Sequence, residues 1–169
     1  MSNWDALIQR MVAAKRLAAE NDQEGLARFA PPRVPADPLS LRAAIDRAGG
    51  ALDDQYAEFL RYADGWPGLM HSFDLFGTTE LFEQEFDTAV DLLVELEDDV
   101  LEDAGVATSD ELFPIGASAV AIDIFATVTS ALSPRPVIWF AGDVVERFES
   151  FEAFFQYMID SNRELARQE

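Results

Sequence analysis

The chain has 169 residues, 49% of them hydrophobic, which suits one domain with a core of its own. It has no cysteine, so no disulfide framework and no thiolate nucleophile or metal ligand; 32 acidic residues against 12 basic ones give a net charge of −20. A field of that sign repels nucleic-acid phosphates and attracts basic protein surfaces, and no apolar run approaches the roughly 20 residues of a membrane helix.

The first residues, MSNWDALIQR, lack a basic leader followed by an apolar core, so a cytoplasmic protein is expected. Asn3 is placed to cap a first helix running to about Glu20, with Trp4, Leu7, Ile8, Met11, Ala14 and Ala18 on one stripe. A short second helix over residues 23–29 would bury Leu26 and Phe29 before Pro31 and Pro32 stop it. The stretch PPRVPADP holds four of the eight prolines and reads as a stiff, extended connector over residues 31–38. Residues 1–30 therefore form a helical arm ahead of a domain spanning 39–169. The arm's stripe must be buried on that domain or on another chain.

Residues 39–47 read as a helix with Leu41, Ala44 and Ile45 inward, ended by Gly49-Gly50. A further helix follows, with Leu52, Tyr56, Phe59 and Leu60 on one face and Asp53 and Asp54 in its first turn. Gly65 is expected to end it, and Trp66-Pro67-Gly68 to turn the chain. Trp66 is then either a core plug or a contact residue beside the acidic region. One strand is expected over residues 69–76, closed by a turn at Gly77-Thr78-Thr79.

Residues 81–104 read as mainly helical, with Phe86, Ala89, Val90, Leu93, Leu96 and Val100 as the apolar face. Asp87, Asp91, Glu95, Asp98, Asp99, Glu102 and Asp103 fill the remainder, and no cation at i,i+4 offsets them. In one continuous helix, Asp98, Asp99, Glu102 and Asp103 lie near the C-terminus, where the dipole opposes negative charge. Local stability would not select this pattern. The imbalance extends beyond the helix: residues 62–134 hold 16 acids and no Lys or Arg, whereas residues 1–61 hold 9 acids and 8 bases.

The sheet follows. Phe113-Pro114-Ile115 is a short entry strand, at an edge or start because of its proline. Residues 119–128 form the strongest strand pattern, with Val120, Ile122, Ile124 and Ala126 on one face and Asp123, Phe125 and Thr127 on the other. A turn at Pro134-Arg135-Pro136 leads to an apolar strand over 137–140. Gly142-Asp143 makes a hairpin with a strand over 144–148. Ser150 caps a last helix with Phe151, Phe154, Phe155, Met158 and Leu165 inward. The fold class is α+β: N-terminal helices, an antiparallel or mixed sheet of about four to six strands, and a C-terminal helix packed on it.

The helix carrying Phe59-Leu60 and ending at Asp64-Gly65, the strand opening Phe113-Pro114-Ile115-Gly116, and the final helix starting Ser150-Phe151 with Phe154-Phe155, in that order, resemble the SUKH superfamily, the Smi/Knr-like proteins. The resemblance covers residues 39–159. It implies an α+β binding module, and for many bacterial members an immunity protein that neutralises a toxin, often a nuclease. Two positions depart from the family pattern: Asp53 stands where a proline often does, and Ala117-Ser118-Ala119-Val120 replaces a glycine- and acid-rich turn. No ligand contact is carried over.

Catalytic constellations are not evident. His71, the only histidine, neighbours Ser72, but neighbours on a strand point to opposite faces. The acids at 98–103 sit on a regular helix, not in a wrapping Asp-x-Asp-x-Asp-Gly loop, and no glycine-rich phosphate loop occurs. No cofactor, metal or enzymatic activity is expected. The expected function is binding: Trp66 and the seven acids from Asp87 to Asp103 would meet a basic protein such as a toxin, with no direct nucleic-acid or membrane partner. The alternative is an assembly component of a phage or prophage particle, its arm docking on virion proteins.

Overall fold

The computed structural model describes residues 2–22 and 29–167. The elements run α1 (Trp4–Asn21), α2 (Pro38–Ala48), α3 (Asp54–Leu60), β1 (Trp66–Met70), β2 (Phe73–Leu75), α4 (Gln84–Val94), α5 (Asp98–Ala104), β3 (Leu112–Ser118), β4 (Ile124–Val128), β5 (Val137–Ala141), β6 (Asp143–Phe148) and α6 (Phe151–Arg167). The six strands form one antiparallel meander in the order β1-β2-β3-β4-β5-β6. The fold is the α+β arrangement expected, with α6 packed on the sheet.

Helices cover both faces of the sheet. On one, Phe125 of β4 meets Phe154 of α6 at 5.0 Å between ring centroids. Neighbours on a strand point to opposite faces, so Ile124 and its cross-strand partner Phe140 point to the other, where residues of α4 and α5 lie over them. The N-terminal arm belongs to this core. Asn3 caps α1 by accepting from the Ala6 amide, and the stripe beginning at Trp4 is buried against α6. Trp4 stacks within about 5.5 Å of Phe59, Phe151 and Phe155. The helix expected over 23–29 falls mostly outside the described residues. Phe29, expected inside, is 39% exposed under the Arg16 guanidinium.

The connector is extended but not free. Ala36 N donates to Leu60 O, and Asp64 N to Val34 O, which straps residues 34–36 along the segment leaving α3. Asp53 is the N-cap of α3 rather than a first-turn residue. Its buried carboxylate accepts from the Tyr56 and Arg135 amides, and burial pushes its pKa up.

Six local expectations are corrected. The helix ends at Leu60, not at Gly65, and Trp66-Pro67-Gly68 opens the edge strand β1. Proline is tolerated there because one side of an edge strand needs no ladder donor. The single strand over 69–76 is a hairpin, turned by His71 at φ 53°. Residues 81–104 form two helices, because the chain leaves the helical path between Glu95 and Glu97. Phe113-Pro114-Ile115 lies in β3, an interior strand; Pro114 fits because β2 pairs with β3 only over Gly116–Ser118. Finally, β4 begins at Ile124, and residues 119–123 form a loop in which Val120 is 82% and Ile122 55% exposed.

Candidate functional site: an acidic helical face beside an apolar cleft

The acids of α4 and α5 all face solvent. Asp87, Asp91 and Glu95 are spaced by four, so they form one row along the outer side of α4 and its C-cap. The opposite side of the helix is held down by Ala89 and Leu93, both buried, and by Phe86, whose ring meets Phe113 at 5.1 Å. Asp98 and Asp99 open α5, and Glu102 and Asp103 close it before Gly105 at φ 81°. Val100, Leu101 and Ala104 bury the inner side of α5. Arg147 of β6 donates to the Ala104 carbonyl, a bond to the helix end and not to a carboxylate. Among the described residues, the ion pairs are Arg33–Glu80, Arg163–Asp160 and Arg167–Glu164; none involves the seven acids.

The helix break changes the electrostatic reading of four of these residues. Asp98 and Asp99 occupy the first turn of α5, where the dipole favours carboxylates. Glu102 and Asp103 remain at its unfavourable end.

Beside the acidic row runs a cleft between α4–α5 and the sheet. It comprises two hollows of about 750 and 460 Å³ that share Leu92 on the helix side and Ile122 on the loop side. Gln84, Thr88 and Leu92 give the helix wall, a row adjacent to that of Asp87 and Asp91. Ile124, Phe140 and Val100 give an apolar floor to the smaller hollow. The loop forming the far wall is held by its own bonds. Ser118 Oγ accepts from the Val120 and Ala121 amides at 3.2 Å, and Ser118 N donates to Asp123 O at 3.0 Å. That closure pushes Val120 and Ile122 outward.

The carboxylates of the cleft are Asp74, Glu85, Glu95, Glu97, Asp123 and Asp143, and among the described residues no Lys or Arg lines it. Asp74 accepts from the Gly68 amide and Asp123 from Trp139 Nε1, so those two are occupied. Glu85, Glu95, Glu97 and Asp143 have no hydrogen-bond or ion-pair partner among the described residues. Of the seven acids singled out in the sequence, only Glu95 lines the cleft; Asp87 and Asp91 flank it, and Asp98, Asp99, Glu102 and Asp103 continue the charge along α5.

Trp66 is not part of this surface. It is fully buried, donates from Nε1 to the Ala30 carbonyl at 2.8 Å and packs 6.1 Å from Phe155, so the core-plug reading is the one the structure supports. His71 is an exposed turn residue, and Ser72 bonds Ser118 instead. Among the described residues no group of three or more His, Asp or Glu side chains is placed to hold a metal ion, and no helix is long and apolar enough to cross a membrane.

The sequence reading missed the cleft. Its walls come from segments far apart in the chain, and the alternation over residues 119–128 reads Ile122 as a strand residue. The one signal in the sequence is the alternation of Val120 and Ile122 about Asp123. In comparisons with known proteins, no protein-family model matches the chain and no curated protein matches it.

Proposed function

We propose that the chain is a non-enzymatic protein-binding module, an immunity-type inhibitor that occludes a basic, nuclease-like toxin with the acidic side formed by α4 and α5. One observation carries the reading: seven exposed carboxylates follow one another along these helices with no cation paired to them among the described residues. Such a surface attracts a basic cleft over a Debye length and keeps its partner sites available for intermolecular pairs. The resemblance in Phe59-Leu60, Phe113-Pro114-Ile115-Gly116 and Phe154-Phe155 points to the same class of molecule. The alternative, an assembly component of a phage or prophage particle, draws on the helical arm ahead of the proline-rich connector; that arm, α1, packs against α6.

The test is kinetic. Asp91→Lys, Glu95→Lys and Asp98→Lys combined should slow association with the cognate toxin at least tenfold at low salt and flatten its salt dependence. An unchanged on-rate and salt slope would overturn the reading.

A further inference from the structure

We infer that the cleft between α4–α5 and the 119–123 loop takes a linear, cationic polypeptide segment of the partner, seating its apolar side chains at the Leu92–Ile122 waist. The inference rests on the protein-binding reading and concerns a surface that shares only Glu95 with the outer acidic row. Three features of the cleft define the occupant.

Its apolar surface is accessible at the waist between its walls, above a buried apolar floor. Ile122 is 55% exposed, Leu92 is half-buried, and Ile124 and Phe140 lie beneath them in the smaller hollow. Large apolar side chains left beside a hollow gain by being covered and removed from water.

Its rim is anionic on the helix side and at the start of β6. Glu85 comes from α4, Glu95 and Glu97 from the link into α5, and Asp143 from the first position of β6, their carboxylates all without partners among the described residues. A neutral or acidic segment would leave these carboxylates facing no cation or a like charge, whereas lysines or arginines on a segment lying in the cleft would meet them.

Its shape is elongated. The two hollows meet at Leu92, the larger beside α4, whose 11 residues span about 16 Å, and the smaller beside the α4–α5 link and Val100. That length accommodates about three turns of helix or about five extended residues, and grooves of this kind recognise peptides through spaced apolar anchors.

The experiment uses the full chain and fluorescence anisotropy with three labelled peptides of equal length and lysine content. One carries leucines at helical spacing, one carries leucines at alternate positions, and one replaces every leucine by serine. At least one leucine peptide should bind at least about tenfold more tightly than the serine peptide. Ile122→Ser combined with Leu92→Ser should abolish that preference while leaving the thermal unfolding midpoint within a few degrees. Glu97→Gln combined with Asp143→Asn should weaken the leucine peptide severalfold. Equal binding of all three peptides, binding of none, or a preference that survives Ile122→Ser and Leu92→Ser would overturn the inference. If toxin association keeps its salt dependence while the leucine preference is absent, the cleft alone fails; if the leucine preference is present while toxin association ignores Asp91, Glu95 and Asp98, the acidic-face reading alone fails.

Discussion

Lys15 is the only lysine in the chain and is 4% exposed, between α1 and the edge strand β1. Its ammonium donates to the Gly68 carbonyl at 2.6 Å and, more weakly, to that of Leu69 at 3.4 Å, and Asn162 also donates to Leu69. No carboxylate among the described residues offsets its burial, which lowers its pKa from the ordinary 10.5 to about 8. The sign follows from linkage. Above pH 8 the folded chain has released a proton that the unfolded chain keeps until 10.5, so stability contributed by this group rises with pH across that window. Relative to Lys15→Met, the native protein should therefore gain stability between about pH 8 and 9.5, read by urea unfolding at fixed ionic strength. Parallel pH profiles would show that the ammonium is not desolvated. A second residue-scale prediction concerns Gly77. A β-carbon there would overlap the Asp64 carbonyl, while the Asp64 carboxylate holds the Thr78 amide at 2.6 Å and hydroxyl at 2.7 Å. Gly77→Ala should destabilise by about 1–3 kcal/mol in urea unfolding, because backbone and not a flexible side chain must move. A loss under about 0.5 kcal/mol would mean that this joint between α3 and β2 is soft.

At the scale of elements, the break between α4 and α5 makes a prediction of opposite signs. Neutralising Asp98 and Asp99 removes favourable charges from the first turn of α5, so the unfolding midpoint should fall by about 1–3 °C. Neutralising Glu102 and Asp103 removes unfavourable charges from its last turn, so the midpoint should rise by a similar amount. One continuous helix over 81–104 predicts a rise in both cases, and differential scanning fluorimetry distinguishes the two. The sequence pattern read well where an element has a single buried face: the stripe of α1, the Phe151–Phe154–Phe155 side of α6 and the Gly142 hairpin all emerged as expected. It read poorly where tertiary contacts overrule local chemistry. Nothing at Glu95-Leu96-Glu97 signals a break, since no glycine or proline is there. His71 turns the β1–β2 hairpin at positive φ without being Gly or Asn. Trp66-Pro67-Gly68 has turn composition yet forms an edge strand, because β1 pairs with β2 from Trp66 opposite Leu75 to Met70 opposite Phe73. The acidic face was legible as composition, whereas the cleft depends on loop closure at Ser118, which has no local signature.

At the scale of the whole molecule, the charge distribution opposes the fold that carries it. A net −20 with 16 acids and no Lys or Arg across residues 62–134 creates self-repulsion, and the α4 and α5 acids have no internal cations among the described residues. If those charges serve recognition, removing the ones near the C-terminal ends of α4 and α5 should improve stability and impair association together, the trade expected where function is kept at the expense of stability. The variant combining Asp91→Asn, Glu95→Gln, Glu102→Gln and Asp103→Asn tests this, since all four lie toward the C-terminal end of α4 or α5, where the dipole adds to the repulsion. Its unfolding midpoint should exceed the native one by several degrees at low ionic strength. The gap should narrow as salt shortens the Debye length to about 8 Å near 0.15 M. Its association with a basic partner should be slower under the same low-salt conditions, with dissociation changing less. A midpoint that falls at low salt would mean that these carboxylates hold the structure together, and their exposure would then need no explanation in binding. A midpoint that rises with association unchanged would leave them as surface charge that only keeps the chain dispersed.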